Sequence, residues 1–537
     1  MLRGKKIISV LLILIMVLAI SGCGEKKQTD NQISKESSSS TDNNQSKDNN
    51  DEIEANSMLV SDKAITFKVF EYSDKPFKDD YPVIKKIKEL TNVSLKGVLN
   101  DSITDQKQAY NMMISSGDIV DIIFFYRNEL FRDGVEGAYI PLQDLIKEHA
   151  PNIQAILDQY PEAKKTATGP DGNMYYVPNF NDGQAATGYY IRQDWLDNLG
   201  LEIPKTVDEF YNVLKAFKEQ DANGNGDPND EVPYFCRDNQ AVLTHLLYMW
   251  DAKNEYYVDN GEIKHGHIEP EFKVAMTELA KWYKEGLIDA ELFTRGGKAR
   301  DIMLNDNIGG STHDWFGSTA SYNDKLKSSI DGFNWVPFLP PASTSGKVIE
   351  SRSRGTGNNR GAAISSKCKD PISAIKFLDF CYSEEGRRLL NFGIEGEDYT
   401  MVDGIPVFKD EVLSEDNVLV ALRKRGIQIN LAYQQDFNYE KQWINPIAKQ
   451  GMEMYINADC FFPSFPYMNY TTEEQDRLNE LNAPIKTYVA EVVQKWILGV
   501  EDIDATFDKY LETLENMGIK EVLDIQNNAY KRYLNQN

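Results

Sequence analysis

Histidine and cysteine are scarce in this chain of 537 residues, with five of each. Five cysteines without a framework spacing exclude a disulfide scaffold, so Cys236, Cys368, Cys381 and Cys460 are expected as free or buried thiols. Basic residues are also short. Lys and Arg total 58 against 83 Asp and Glu, for a net charge of −25. A surface of that sign argues against nucleic acid, which rewards basic patches. There is no G-x-S-x-G elbow, no phosphate loop and no H-E-x-x-H motif. No internal repeat appears. Long apolar runs are missing after residue 20, and the run Val10–Ile20 is about half the roughly 20 residues that span a bilayer.

What is present begins with an address. Arg3, Lys5 and Lys6 precede that apolar run, which ends in Ile20-Ser21-Gly22-Cys23, so residues 1–22 read as a signal peptide. Small residues before a cysteine resemble a bacterial lipobox, in which Cys23 is lipidated and becomes the new N-terminus. The mature protein is then anchored to the membrane through lipid alone, and does not span it. Residues 23–57 follow, a Ser-, Asn- and Asp-rich stretch with almost nothing to bury, expected to form a disordered tether.

From Met58 the pattern changes. ITFKVFE (65–71) alternates as a strand, YPVIKKIKELT (81–91) has helical periodicity, and VDIIFF (120–125) reads as a buried strand. Strand, helix, strand at this spacing predicts α/β architecture with parallel strands. Thr206-Val207-Asp208-Glu209 reads as a capping box, followed by Phe210, Val213, Leu214 and Phe217 at helical spacing. YYVDNGEIK (256–264) predicts a hairpin turning at Asn260-Gly261. Thr471-x-x-Glu474 caps a long helix, with two more predicted at about 501–516 and 519–534. Trp195 and Trp282 fall on apolar helix faces. His265-Gly-His267 follows the hairpin and reads as surface, although with Glu262 and Glu269 it has zinc-ligand residue types.

DANGNGDPNDE (221–231) gathers oxygens. Asp221, Asn223 and Asn225 stand at alternate positions with Gly226 at the turn, like the first half of an EF-hand loop. Position 12 is Val232 instead of a glutamate, and the acids come early as Asp230 and Glu231. The expected ligands are Asp221, Asn223, Asn225, Asp227 (through its carbonyl), Asp230 and Glu231. An all-oxygen, flexible shell suits calcium in a structural role. A solvated loop without metal is the alternative.

The stretches ISSGDIVDIIFF (114–125), IRQDWLDNLGLEIPKTVDEFYNVLKAF (191–217), KWYKEGLIDAELF (281–293) and FGIEGEDYT (392–400) resemble the extracellular solute-binding lipoproteins of sugar ABC transporters. That family includes maltose-binding and alginate-oligosaccharide-binding proteins. The resemblance runs from about residue 65 to the C-terminus. It implies a two-lobed, type II periplasmic-binding-protein-like α/β fold with a helical C-terminal part. Lobe 1 is expected at 58–180 and 363–430, and lobe 2 at 181–362 and 431–537. The chain would cross near 175–183 and return near 360–366. It implies a monomer that captures an oligosaccharide and delivers it to ABC permease subunits, without catalysis. The calcium loop fits larger members, here one residue longer between Asp227 and Asp230.

Sugar sites need aromatic faces and short polar groups, placed beyond strand ends. Candidates are Tyr72, Ser73, Asp74 and Lys75 after the first strand, where the resemblance also places an acid–lysine contact, and Tyr126, Arg127 and Asn128 after VDIIFF. Asn179, Asn181 and Asp182 lie in the crossing, and turn or capping roles compete for all of these. The resemblance places an aromatic at Trp315, beside Asp314. Trp443 and Tyr433 are weaker stacking candidates, and Arg352 and Arg354 read first as salt-bridge partners. Two other readings stay open: the same fold binding peptide or serving as a sensor subunit, and a glycan-active enzyme using two carboxyls.

Overall fold

The structure is a computed structural model that describes residues 58–73, 75–237, 241–351, 354, 357–414 and 418–536. The expectations for the signal peptide, Cys23 and the tether lie outside the described residues, as do Asp74 and Arg352. The strands in chain order are Ile65–Glu71 (β1), Val93–Gly97 (β2), Ile122–Tyr126 (β3), Val177–Phe180 (β4), Thr187–Arg192 (β5), Val232–Tyr234 (β6), Tyr256–Asp259 (β7), Glu262–His265 (β8), Gly309–Trp315 (β9), Trp335–Phe338 (β10), Gly357–Ile364 (β11), Tyr399–Val402 (β12) and Ile405–Phe408 (β13).

Two sheets organise the chain, in the orders β2-β1-β3-β11-β4 and β10-β5-β9-β6. β3 is central in the first, and Ile122, Ile123, Phe124 and Phe125 are all buried. An unbroken apolar run is what a strand covered on both faces requires. β1 alternates because Phe67 and Val69 face the core while Thr66 and Lys68 are exposed. In the second sheet, neighbouring residues Tyr189 and Tyr190 of β5 enter different cores, as the strand's two-residue period dictates.

The strands read from 65–125 are parallel as expected, but each sheet as a whole is mixed. β1 pairs in parallel with β2 and β3, but β11 runs antiparallel to β3 and β4. β5 likewise runs antiparallel to β9 and β10, while β6 and β9 are parallel. The cause is connectivity. β4 ends at Phe180 and β5 begins at Thr187, so the chain enters the second sheet at the edge where β6, β9 and β10 end. It re-enters the first sheet through β11 at the edge where β1, β3 and β4 end. A strand entering at its neighbours' carboxyl end must run against them.

A third passage lies beside these two. Phe180 bridges to Gln434, its N–H donates to Tyr433 O at 3.1 Å, and Gln435 N–H donates back to Phe180 O at 2.9 Å. Leu431, Ala432 and Tyr439 pack in the first core, whereas Phe437 and Ile444 pack in a core of the second sheet. The passages are bonded to one another. Arg354 N–H donates to Gln184 O at 2.8 Å, and its guanidinium forks onto Glu440 at 2.7 and 2.8 Å.

The helices follow their local signals. Pro82–Thr91 buries Val83, Ile84 and Ile87, and Val207–Glu219 buries Phe210, Val213, Leu214 and Phe217. Thr206 Oγ1 accepts the Glu209 N–H at 3.2 Å, but Glu209 accepts from Lys205 N–H at 2.7 Å instead of closing a box on Thr206. Thr471 and Glu474 do close a full capping box on the Thr472–Ile497 helix. That helix, with Ile503–Asn516 and Ile519–Asn535, packs on the second sheet's core. Its approach also touches the first lobe, where Asn469 Nδ2 donates to Thr166 O and Thr168 O. Trp195 and Trp282 are buried as expected, and no disulfide joins the four described cysteines.

The β7–β8 hairpin turns at Asn260 (φ 49°) and Gly261 (φ 81°), the positive-φ pair of a type I′ turn. The surface reading of the histidines beyond it is overturned. His265 is 5% exposed, its ring against Tyr256 and His267. Burial pulls the His265 pKa down to about 4. A histidine kept neutral when folded, but protonated below its usual value when unfolded, contributes stability that is full above about pH 6.5 and lost as pH falls towards 4. Urea melts of residues 58–537 at pH 7.5 and pH 5 should therefore show a loss in which His265 accounts for on the order of 2 kcal/mol. His265→Gln should shrink that pH difference. An unchanged difference would contradict a buried neutral His265.

Candidate functional site

Because both crossings connect carboxyl-terminal edges, the groups just beyond β1, β3 and β4 and those beyond β6, β9 and β10 meet the same inter-lobe region. Such edges are where open α/β sheets bind ligands.

On the first edge, Tyr72 and Tyr126 lie with ring centroids 5.1 Å apart. The Arg360 guanidinium sits 5.3 Å from one ring centroid and 5.0 Å from the other, and it donates to Tyr72 O. Asn430 Nδ2 donates to the same carbonyl at 3.1 Å. Beneath them Glu71 is buried, accepting from Ser73 Oγ at 2.7 Å and Asn430 N–H at 3.3 Å. Burial pushes the Glu71 pKa up, against the lowering pull of Ser73, Arg360 and Asn430. The result is a braced, partly exposed aromatic pair backed by a cation.

The neighbouring candidates differ in environment. Arg127 is 9% exposed, its guanidinium 3.9 Å from the centroid of Tyr467, and its Nη1 has no hydrogen-bond partner. Exposed Asn128 opens with Arg127 into a cavity of about 720 Å³. Lys75 is exposed, and its carbonyl accepts from Ser73 Oγ at 2.5 Å.

The crossing residues act as ties. Asn179 Nδ2 donates to Leu431 O at 3.0 Å, while its buried Oδ1 has no partner. Asp182 accepts from Gly183 N–H and Phe437 N–H, both at 2.8 Å, so its carboxylate joins the first and third passages. Trp443 packs partly buried against cores of both sheets, 6.2 Å from the Tyr439 ring, with Nε1 unpartnered. Tyr433 is packed against the first core.

On the second edge, Trp315 ends β9 and is 47% exposed. Nearly half of its surface is therefore open to solvent, although the neighbour before it is buried. That neighbour, Asp314, is 5% exposed and fully engaged. It accepts from Trp315 N–H at 2.7 Å, Arg237 Nε at 3.1 Å and Arg300 Nη1 at 2.8 Å. Asp314 thus holds the strand end that carries Trp315.

The 221–231 loop turns at Gly226, whose φ of 91° needs glycine. Asp221 Oδ2 accepts the Gly226 N–H at 2.8 Å, and Asn223 and Asn225 accept from Asn225 N–H and Asp227 N–H at 2.9 and 2.7 Å. Asp227 accepts from Asn229 N–H at 3.1 Å. Asp230 is held between Asn223 Nδ2 at 3.0 Å and Asn225 Nδ2 at 2.7 Å. Glu231 is 2% exposed. Its Oε1 accepts from Ala222 N–H at 2.8 Å, and burial raises its pKa. Glu231 Oε2 and Asp221 Oδ1 are buried with no partner. Two buried carboxylate oxygens facing nothing in one loop fit a hard cation.

Among the described residues, the one group of three such ligand atoms within 4.8 Å is buried His245, His313 and Glu350. The histidine rings stack with centroids 3.7 Å apart and planes 22° apart. His313 Nε2 meets Glu350 at 2.9 Å and His245 Nδ1 meets Ser351 Oγ at 2.9 Å. This is a polar knot in the core.

The residues that sequence reasoning missed are Arg360, Asn430, Arg237, Arg300 and Tyr467. Arg360 had a signal, since it opens the return segment beside two strand ends. Asn430, Arg237 and Tyr467 are brought in by pairings distant in sequence, whereas Arg300 lies 14 positions before Asp314.

This arrangement belongs to a known class. The model of the bacterial extracellular solute-binding protein family matches residues 73–388, and the chain belongs to that family. Its two-lobed, type II fold is that of the crystal structure of the alginate-binding protein AlgQ2 without calcium ion (TM-score 0.73, 39% identity, 88% of this chain and 99% of that one). The fold is shared by the Streptococcus pneumoniae ABC-transporter substrate-binding protein FusA in complex with kestose (TM-score 0.68, 23% identity, 88% and 100% covered). By sequence the chain is similar to the fructooligosaccharide ABC transporter substrate-binding protein FusA of Streptococcus pneumoniae serotype 4 (strain ATCC BAA-334 / TIGR4), 26% identical over 84% of this chain and 87% of that one. It is also similar to lipoprotein LipO of Bacillus subtilis (strain 168), 27% identical over 61% and 66%. No described helix is long and apolar enough to cross a membrane.

Asp314 and Trp315 separate structure from recognition. Asp314→Asn should destabilise residues 58–537 by about 2–3 kcal/mol in urea melts, because two guanidiniums lose their charge partner. Trp315→Ala should cost about 1 kcal/mol or less. Equal losses would show that Trp315 is packed and not presented.

Proposed function

We propose that this chain is a lipid-anchored extracellular receptor that captures an oligosaccharide between its two carboxyl-terminal strand edges and delivers it to an ABC importer. The observation that carries the reading is the pairing of an exposed Trp315 on one edge with the braced Tyr72–Tyr126 pair on the other. Aromatic faces take the C–H faces of sugars, and flanking amides and charges take hydroxyls. Arg127, Asn128, Trp315 and the Tyr72–Tyr126 pair are the proposed contacts. Asp182, Asn179 and Trp443 serve the passages between lobes, and Asp314 serves Trp315. The relatives named for fructooligosaccharide and alginate binding support a glycan cargo.

The lobes divide at the passages: 58–181 with 357–435, and 182–356 with 436–537, a small shift from the division read from sequence. Three short passages tied by Asp182 and by Arg354–Glu440 would let the lobes hinge without unfolding. Closure sequesters the glycan, and the closed form docks on permease subunits as a monomer. The action is capture without turnover. Cys23 is the proposed lipidation site and residues 24–57 the tether, in keeping with the similarity to LipO.

Calcium is proposed in the 221–231 loop, with Asp221, Asn223, Asn225, Asp227, Asp230 and Glu231 supplying oxygens. The ion would compensate the two orphaned carboxylate oxygens and pin the end of the Val207–Glu219 helix to β6, which makes its role structural.

Thermal melting of residues 58–537, in calcium or in chelator, against a panel of neutral and acidic oligosaccharides tests both parts. Calcium should raise the melting point, and Asp230→Ala should remove most of that rise. A glycan at about 100 times its Kd adds roughly 2.7 kcal/mol, which in a protein this size is a shift of about 2 °C or more. The bound glycan should be recovered intact. No shift with any glycan, or a shift with peptides alone, would overturn the receptor reading, and identical melts in calcium and chelator would overturn the ion.

A further inference from the structure

The cavity of about 720 Å³ behind Arg127 is not explained by a single sugar held at the strand edges. One wall is the Arg127–Val135 helix, and the other is the segment 465–479 that leads into the Thr472–Ile497 helix. Its volume falls within the roughly 300–1,000 Å³ of pockets that bury a drug-sized ligand, more than one sugar ring.

The walls are built firmly. Asn469 Nδ2 donates to Thr166 O at 2.6 Å and to Thr168 O at 2.8 Å, fixing the segment to the first lobe. Tyr470 O–H donates to Gln526 Oε1 at 2.6 Å, and the Thr471–Glu474 box holds the helix start. Two residues before these anchors Tyr467 remains 44% exposed. Arg127 covers one face of its ring at 3.9 Å, which steadies the ring and leaves the opposite face for a ligand. Arg127 lines this cavity and is itself 9% exposed, so it offers a fixed cation at the wall.

The lining also speaks to charge. Glu129, Glu136, Asp171, Glu473 and Asp476 contribute carboxylates, against Arg127 and Arg132. Arg132 is already paired with Asp133 at 2.7 Å and Glu129 with Lys107 at 3.1 Å. Asp171 accepts from Tyr175 O–H at 2.6 Å, so the acidic excess rests on Glu136, Glu473 and Asp476. A uronate chain would bring further negative charge into an acidic pocket, at the cost of like-charge repulsion. A neutral chain offers hydroxyl donors to the carboxylates, and ring or hydroxyl oxygens to Arg127.

We propose that this cavity receives the distal units of a neutral oligosaccharide whose proximal unit sits at Tyr126, Arg127 and Asn128, so that the receptor selects chains of three or more units. The inference rests on the glycan-receptor reading above. Isothermal titration of residues 58–537 in calcium, with fructo-, malto- and xylo-oligosaccharides of two to five units and oligouronates of equal length, tests it. For the neutral series that binds, affinity should rise at least tenfold between two and four units, and oligouronates should bind more weakly. Tyr467→Ala should weaken the tetrasaccharide about tenfold and leave the disaccharide unchanged, while Tyr467→Phe keeps wild-type affinity for both. Equal losses for both lengths in Tyr467→Ala, no loss in either, or a preference for oligouronates would overturn this inference and leave the receptor reading standing. Absence of binding by every glycan, with the protein shown folded by its melt, would overturn both.

Discussion

The feature on which the rest depends is the edge at which the chain changes sheets. It leaves the first sheet after Phe180 and enters the second at Thr187, then returns at Gly357, each time at the end where the parallel strands terminate. That forces β5 and β11 to run against their neighbours. It also places the loops after β1, β3, β6, β9 and β10 around one region. Had the passages joined opposite edges, Trp315 and the Tyr72–Tyr126 pair would lie at far ends of the molecule.

The passages are more than connectors, because they hold one another. Asp182 caps the turn of the first and accepts from the third through Phe437 N–H, and Arg354 of the second forks onto Glu440 just beyond the third. Charged groups in such a place are half-buried and mutually compensated, so they fix geometry while adding modest net stability. Recognition is then left to residues with surface to spare. The strand end bearing Trp315 is rigid because Asp314 gathers two guanidiniums and a backbone N–H, while the indole itself stays uncovered. On the first edge Arg360 plays the corresponding part for Tyr72 and Tyr126.

Local structure was legible from sequence where one signal dominates. The Phe210–Phe217 helix, the Asn260-Gly261 hairpin and the Thr471 capping box are each written in a few adjacent residues, and the structure carries all three. Strand direction was legible for β1 and β3, where strand, helix and strand follow in turn, but not for β5 and β11, because it depends there on which edge the chain enters, and no local pattern records that. His265 illustrates a related limit. Its neighbours in sequence are polar, but residues from the distant C-terminal helices cover it, as when Asn527 brackets the adjacent Ile263 backbone at 2.9 and 3.0 Å. The candidate site was legible in part for the same reason. Trp315 and Arg127 follow strands and could be marked as strand-end residues, whereas Tyr467 and Asn430 join them only through pairings that cross hundreds of positions. Asp314 and Asp182 look alike in sequence to ligand-contacting acids, and their bonds to Arg237, Arg300 and the Phe437 N–H come from pairings that no local pattern records.

The central claim is that opposed strand edges close on a glycan about tied passages. Small-angle X-ray scattering of residues 58–537 in calcium, titrated with the tightest-binding glycan of the neutral series, tests it directly. The account predicts a saturable decrease in radius of gyration at one glycan per chain, absent in Trp315→Ala at concentrations where that variant is unloaded. A radius of gyration that stays constant through full, stoichiometric binding would contradict closure and the site drawn between the two edges.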